Sequence, residues 1–252
     1  MGRGLAWCVG AAMGLASVEA TAVELTVMSG GAVKTAFIAA VEAWERESGN
    51  KVNAVFAPAG ELRKKVAAGE VADILIVPSE NLAEYEKSGA IAPETRRDLG
   101  AVAMGAAVRQ GAKVPDISTP EALARTLSEA KSLTYMDPTR GTSGKHFDEV
   151  VLPKLGVRDA VRSKTTFGES GMIAEKVARG EVEIAFHQMT EMLPVKGVTI
   201  VGPLPESLQK TTVYSGVVMK GAKNPREAQA LLAYLASPMG RKQFLERGFA
   251  AP

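Results

Sequence analysis

The chain states one short unit twice, once in each half. Lys65-Val66-Ala67-Ala68-Gly69-Glu70-Val71 returns as Lys176-Val177-Ala178-Arg179-Gly180-Glu181-Val182. Each copy leads into an apolar run, Ile74-Leu75-Ile76-Val77 in the first and Ile184-Ala185-Phe186 in the second. This pattern predicts the last turn of a helix, a glycine stop and a buried strand. The same helix–turn–strand unit in both halves predicts two similar α/β lobes facing each other. A cleft between such lobes is a natural place for a small ligand. The 252 residues have room for two lobes of about 100 residues each.

Hydrophobic residues make up 46% of the chain and charged residues 23%, enough apolar material for two cores. The net charge of +2, with no basic cluster interleaved with aromatics, excludes a nucleic-acid footprint. Arg3, the apolar stretch Leu5 to Ala16 and the small-residue exit Ala20-Thr21-Ala22 predict a signal peptide over residues 1–22, with Val23 the first mature residue. The one cysteine, Cys8, lies inside that segment, so the mature chain is expected to have no disulfide and no thiolate chemistry. No later apolar run approaches the ~20 residues of a membrane span. His146 and His187, without a cysteine, give no zinc-ligand spacing, and neither a metal nor a cofactor is expected.

Strands and helices alternate along the mature chain. Leu25–Met28 and Val52–Phe56 read as strands, with a helix between them from about Val33 to Glu47. Ser79 and Asn224 are expected to cap helices, as are Thr119 before Pro120 and Ser237 before Pro238. Val102–Val108 and Thr212–Met219 are expected to run from one lobe into the other as a two-stranded hinge. The predicted fold is therefore α/β, two Rossmann-like lobes with mixed, largely parallel sheets. Lobe 1 is placed at 23–105 plus 215–252, and lobe 2 at 106–214.

The turns after strands share one grammar, small or hydroxyl residues followed by a helix start. Ser29-Gly30-Gly31, Ala59-Gly60, Thr142-Ser143-Gly144 and Ser170-Gly171 all fit it. In open α/β sheets such turns lie at the carboxyl ends of strands, where ligands bind, and free helix N-terminal N–H groups receive anions. Catalytic motifs are incomplete. Gly141-Thr142-Ser143-Gly144-Lys145 lacks the last glycine of a nucleophile elbow, and Thr139 and His146 break a phosphate-loop pattern. The chain is accordingly expected not to be an enzyme, with an exported serine hydrolase using Ser143 and His187 as the alternative from another class. His146 is expected on a helix surface, and His187 at the mouth of the cleft.

The order Leu25–Met28, Ser29-Gly30-Gly31, Val52–Phe56, Ala57-Pro58-Ala59-Gly60-Glu61-Leu62 and Ala68-Gly69-Glu70-Val71-Ala72-Asp73-Ile74 resembles the molybdate-type periplasmic solute-binding proteins of ABC importers. Asp137-Pro138 before a Gly-containing helix start, Ser237-Pro238-Met239-Gly240 and Gly248-Phe249 fit that family too. The resemblance implies a type II periplasmic binding protein that closes on an oxyanion and presents it to a membrane permease, as a periplasmic monomer. The departures concern the site. Ala59-Gly60 stands where that family carries a second serine, His187 where it carries a tyrosine, and Arg140 is a cation in a turn that usually has none. Arg pairs bidentately with planar carboxylates, so an organic carboxylate is favoured over molybdate or tungstate. The candidate ligand-binding residues are Ser29, Gly30, Gly60, Arg140, Thr142, Ser143, Ser170, Gly171 and His187.

Overall fold

The computed structural model describes residues 22–169 and 171–252. The signal peptide expected over residues 1–22 lies almost wholly outside the described residues, and so does Ser170. The strands are β1 (Glu24–Ser29), β2 (Lys51–Phe56), β3 (Ile74–Pro78), β4 (Ile91–Val102), β5 (Met104–Arg109), β6 (Leu133–Tyr135), β7 (Ile184–Gln188), β8 (Val198–Pro203) and β9 (Thr212–Met219). They form two mixed sheets, in the orders β2-β1-β3-β9-β4 and β6-β7-β5-β8. In the first, β1 is parallel to β2 and β3, while β9 runs antiparallel to β3 and β4. In the second, β6 and β7 are parallel, while β5 runs antiparallel to β7 and β8.

Both copies of the repeated unit fold alike. The helix Ala59–Ala67 ends at Gly69, φ 87°, and the helix Ala174–Ala178 at Gly180, φ 76°. In the first, the N–H of Glu70 donates to Lys65 O and that of Gly69 to Val66 O. In the second, Glu181 donates to Lys176 O and Gly180 to Val177 O. These are the paired bonds of a Schellman stop, which needs a left-handed residue and hence glycine. The strands that follow, β3 and β7, are buried along their whole lengths. Continuous apolar runs of this kind belong to strands covered on both faces.

Helices cover both sides of each sheet, so each sheet separates two cores. In the first half, Phe37, Trp44, Leu231 and Phe244 fill one core, and Leu62, Leu75 and Tyr85 the other. In the second half, Tyr135, Phe147 and Phe186 fill one, and Val177, Ala185 and Met192 the other. The helix Lys34–Ser48 buries Ala36, Phe37, Ala40, Val41 and Trp44 on one face, the spacing of a helix packed against a sheet. Thr119 and Ser237 cap their helices by accepting from the N–H groups of Ala122 and Gly240. Ser79 and Asn224 do not cap. The Ser79 hydroxyl bonds Val213 O and Ser215 Oγ, and Asn224 N–H donates to Asp73 Oδ1.

The connection between the sheets departs from the expected hinge. The chain first crosses at Ala103, between β4 and β5, so Val102–Val108 is two strands rather than one. The return crossing is residues 204–211, because β9 pairs along its whole length inside the first sheet. Pro203 and Pro205 end β8 and stop its extension toward β9. Gln209 ties the two crossings together: its side chain accepts from Met104 N–H and donates to Met104 O, each at 2.8 Å. A further strand, β4, was not expected over 91–101, where Pro93 and several charges break the apolar pattern. It lies at the sheet edge and its register slips between Ala92 and Arg97, a setting that tolerates proline and charge.

Candidate functional site

The carboxyl ends of β1, β3, β6 and β7 face a cavity of about 250 Å³ between the two halves. Gly30, Gly31, Lys34, Phe56 and Tyr214 line it from the first half, and Met136, Thr142, Ser143, Gly171, His187, Gln188 and Glu191 from the second. The volume is a little below that of usual ligand pockets, which run roughly 300–1,000 Å³. The two halves touch around it. Gly60 N–H donates to Arg140 O at 3.0 Å, and Tyr214 Oη donates to Gln188 Oε1 at 2.9 Å.

Three side chains form a buried polar chain in the wall. Ser143 Oγ lies 3.0 Å from His187 Nδ1, and His187 Nε2 lies 3.0 Å from Glu191 Oε2. The second contact is an ion-pair distance without the alignment of a hydrogen bond. The local fold explains the arrangement. His187 is near the end of β7, and the helix Met189–Met192 begins at once, so Glu191 returns four residues later onto the same side. Ser143 is the second residue of the helix Thr142–His146, whose N-cap is Gly141, and thus points back towards the strand ends. The Glu191 carboxylate lies between two glycines. A Cβ on Gly31 or on Gly171 would meet Oε1, so a larger residue at either position would push the carboxylate aside. This is a contact between the halves, because Gly31 precedes the helix Lys34–Ser48.

The structure brings Gly30, Thr142, Ser143, Gly171 and His187 together around the cavity. Three other candidates lie elsewhere. Ser29 is fully buried within the first sheet, paired to both β2 and β3, and its hydroxyl donates to Gly30 O. Gly60 spends its N–H on Arg140 O and lines an outer groove instead. The Arg140 guanidinium points out of the cavity into that groove, 3.9 Å from Glu61 and 41% exposed. Its direction is set by the turn. Asp137 Oδ1 accepts from Thr139 N–H and Oγ1, and Asp137 O accepts from the N–H groups of Arg140 and Gly141. His146 is half-buried rather than on the helix surface, with Nε2 2.9 Å from Leu208 O, and burial holds its imidazole below the ordinary histidine range.

Sequence reasoning missed Glu191, Lys34, Tyr214 and Gln188. A signal for Glu191 existed in the His-to-Glu spacing of four residues just past a strand. Lys34 is the one lysine or arginine lining the cavity among the described residues. It opens its helix, where the macrodipole disfavours a cation, and that first turn carries no acid. Lysine and dipole together concentrate positive potential on one wall. Burial pushes the Tyr214 phenol far up, so it is a neutral donor. Among the described residues, no group of three or more His, Cys, Asp or Glu is placed to hold a metal ion, and no helix is long and apolar enough to cross a membrane.

Comparison with known proteins gives the family. The sequence model of the bacterial extracellular solute-binding proteins matches residues 25–250. The chain is 33% identical over 229 residues to an aconitate isomerase of Pseudomonas sp., covering 89% of this chain and 86% of that protein. It is 26% identical over 230 residues to the molybdate-binding protein ModA of Escherichia coli, covering 90% and 88%. The periplasmic molybdate-binding protein of Azotobacter vinelandii has the same fold, with a TM-score of 0.77 at 14% identity over 90% of this chain and 99% of that one. The first of these corrects the expectation that the chain is not an enzyme. That relative is named as an isomerase, so this scaffold is compatible with catalysis, and the incomplete motifs of hydrolases and phosphate loops did not bear on it. By its match from residue 25 to residue 250, the chain belongs to the bacterial extracellular solute-binding protein family.

Proposed function

We propose that the cavity binds a small unsaturated di- or tricarboxylate of the aconitate type and interconverts its isomers by proton transfer. The observation that carries this reading is the buried chain Ser143–His187–Glu191 in the cavity wall. A protein that only holds an anion gains nothing from a carboxylate beside it, whereas a proton-transfer site needs a positioned base. The 33% identity to an aconitate isomerase supports the same ligand class. Lys34 and the N-terminus of the helix Lys34–Ser48 supply the positive potential that carboxylates require. Arg140, the sequence-based reason for preferring a carboxylate, has no part in this.

Incubating the purified protein with cis- or trans-aconitate and following the vinyl protons by NMR tests the reading. Interconversion that depends on the protein and is lowered in the double variant Ser143→Ala/His187→Gln supports it. Tight binding of aconitate without turnover would leave a receptor.

The contacts Gly60–Arg140 and Tyr214–Gln188 across the cavity favour a second role that is compatible with the first. A protein that closes on its ligand can present the closed form to a membrane permease, as a periplasmic monomer released by cleavage of its signal peptide. In this reading the halves pivot about Ala103 and residues 204–211. Molybdate or tungstate is the competing ligand, and calorimetry with molybdate distinguishes it.

A further inference from the structure

His187 is the residue a sequence reading selects as the base, but both of its ring nitrogens already face protein side chains. Its side chain is 2% exposed, with Ser143 Oγ against one ring nitrogen and Glu191 Oε2 against the other. Ser143 is also buried, at 5%. Glu191 is the most exposed of the three, at 10%, and it too lines the cavity. Oε2 faces His187, and Oε1 sits at the seam between the halves, against Gly31 and Gly171. Glycine at both positions lets the carboxylate sit at the seam where the halves meet, beside the cavity that both halves line.

We infer that Glu191, through Oε1, takes and returns the substrate proton, while His187 positions the carboxylate and Ser143 positions the ring. This assignment rests on the isomerase reading above. In the forward step a C–H bond of the methylene next to the double bond breaks, and the proton goes to Oε1. The electron pair spreads over the three-carbon unit and into the attached carboxylate, whose charge Lys34 and the N-terminus of the helix it opens stabilise. The same proton returns to the far carbon of that unit, the double bond has moved by one position, and Glu191 is ionised again. No co-reactant is consumed. The arrangement also explains why a carboxylate stands in a cavity for anions. Repulsion between Glu191 and the ligand is relieved when Glu191 takes up the proton, so it weakens the bound ground state and not the transition state.

The test compares wild type, Glu191→Gln, Glu191→Asp and His187→Gln with trans-aconitate, measuring kcat by NMR and Kd by calorimetry. Glu191→Gln is expected to lower kcat by 10²–10⁴-fold, the usual contribution of a general base, while trans-aconitate binds as tightly as to wild type or several-fold more tightly. Glu191→Asp, which keeps the charge but withdraws it by one methylene, should retain a small fraction of kcat with Kd unchanged. This second variant serves if the glutamine does not fold. His187→Gln should retain measurable turnover with an altered pH profile. Wild-type kcat in Glu191→Gln, or complete loss in His187→Gln beside partial activity in Glu191→Gln, overturns the assignment and leaves the isomerase reading standing. Absence of turnover by wild type that binds trans-aconitate overturns both.

Discussion

Tyr214 Oη donates to Gln188 Oε1 at 2.9 Å, joining a strand of the first sheet to the end of β7 in the second. Both residues are buried and both line the cavity. The bond therefore exists only while the halves are closed. Tyr214→Phe removes the donor and leaves a buried acceptor unpaired, at a cost of about 1–3 kcal/mol. Opening restores water to Gln188, so the cost falls on the closed form alone. The variant is expected to show a larger radius of gyration without ligand by small-angle scattering. Carboxylate affinity should fall by about tenfold, since 1.4 kcal/mol is one decade. An unchanged radius together with unchanged affinity would show that this bond does not set closure.

Arg140→Ala is expected to change carboxylate affinity by no more than about threefold. Its guanidinium reaches Glu61 at 3.9 Å and both side chains are substantially exposed. Exposed pairs of this kind contribute about 0–1 kcal/mol. The carbonyl that Gly60 holds is backbone and survives the substitution. Calorimetry with trans-aconitate checks this, and a loss of a hundredfold or more would put Arg140 back in the binding site.

The contrast between Arg140 and Glu191 marks what the sequence revealed about this molecule. Local chemistry was legible. Gly69 and Gly180 stop helices because their left-handed backbone excludes most side chains, and that signal lies within a few residues. Thr119-Pro120 and Ser237-Pro238 announce helix starts just as locally, through a side-chain cap and the fixed φ of proline. Where a side chain points across a turn was not legible. Arg140 has the charge a carboxylate site needs, yet the Asp137 turn aims it outward, and no spacing rule encodes that. Glu191 looked like any solvated acid. Its placement depends on the helix starting immediately after β7 and on Gly31, 160 positions earlier in the chain, leaving space for it. The strand β4 was hidden because its pairing with β9 comes from tertiary context and not from its own alternation.

The stability of the fold should fall as pH drops below the ordinary histidine range. Burial lowers the pKa of His146, although its contact with Leu208 O opposes this. The folded state therefore binds that proton at a lower pH than the unfolded state does. Lowering the pH destabilises the fold wherever the unfolded chain holds more protons than the folded one. The contribution is intact above the unfolded value of about 6.5, and it is lost as pH falls through the folded value. Asp148 adds a separate loss at more acidic pH. Burial alone would raise its pKa, but bonds from Arg158, Tyr135 and Arg162 outweigh this and hold it low. Chemical denaturation of wild type and His146→Gln between pH 7.5 and pH 5 separates the two. The variant should lose the upper part of the decline, and identical curves would assign the slope to other groups.

Lys34 decides between ligand classes. It is exposed at the start of the helix Lys34–Ser48, it lines the cavity, and its Nζ lies 5.8 Å from the centre of the Phe56 ring. That position holds a cation against the positive end of a helix dipole, an unfavourable placement unless an anion sits nearby. A carboxylate ligand would accept a charge-assisted hydrogen bond from Nζ, worth about 1.5–3 kcal/mol. Lys34→Met keeps the apolar stem over Phe56 and removes only the charge. Binding of trans-aconitate should then weaken roughly 10- to 100-fold, as 1.4 kcal/mol per decade gives, and the residual affinity should depend less on salt. Apo stability should change little or rise slightly, because the repulsion with the dipole is gone. Molybdate held by neutral donors alone would respond differently, with affinity nearly independent of Lys34. Calorimetry of both anions against both proteins gives the answer. Tight molybdate binding that is indifferent to Lys34→Met, beside weak aconitate binding, would overturn the carboxylate reading of this cavity.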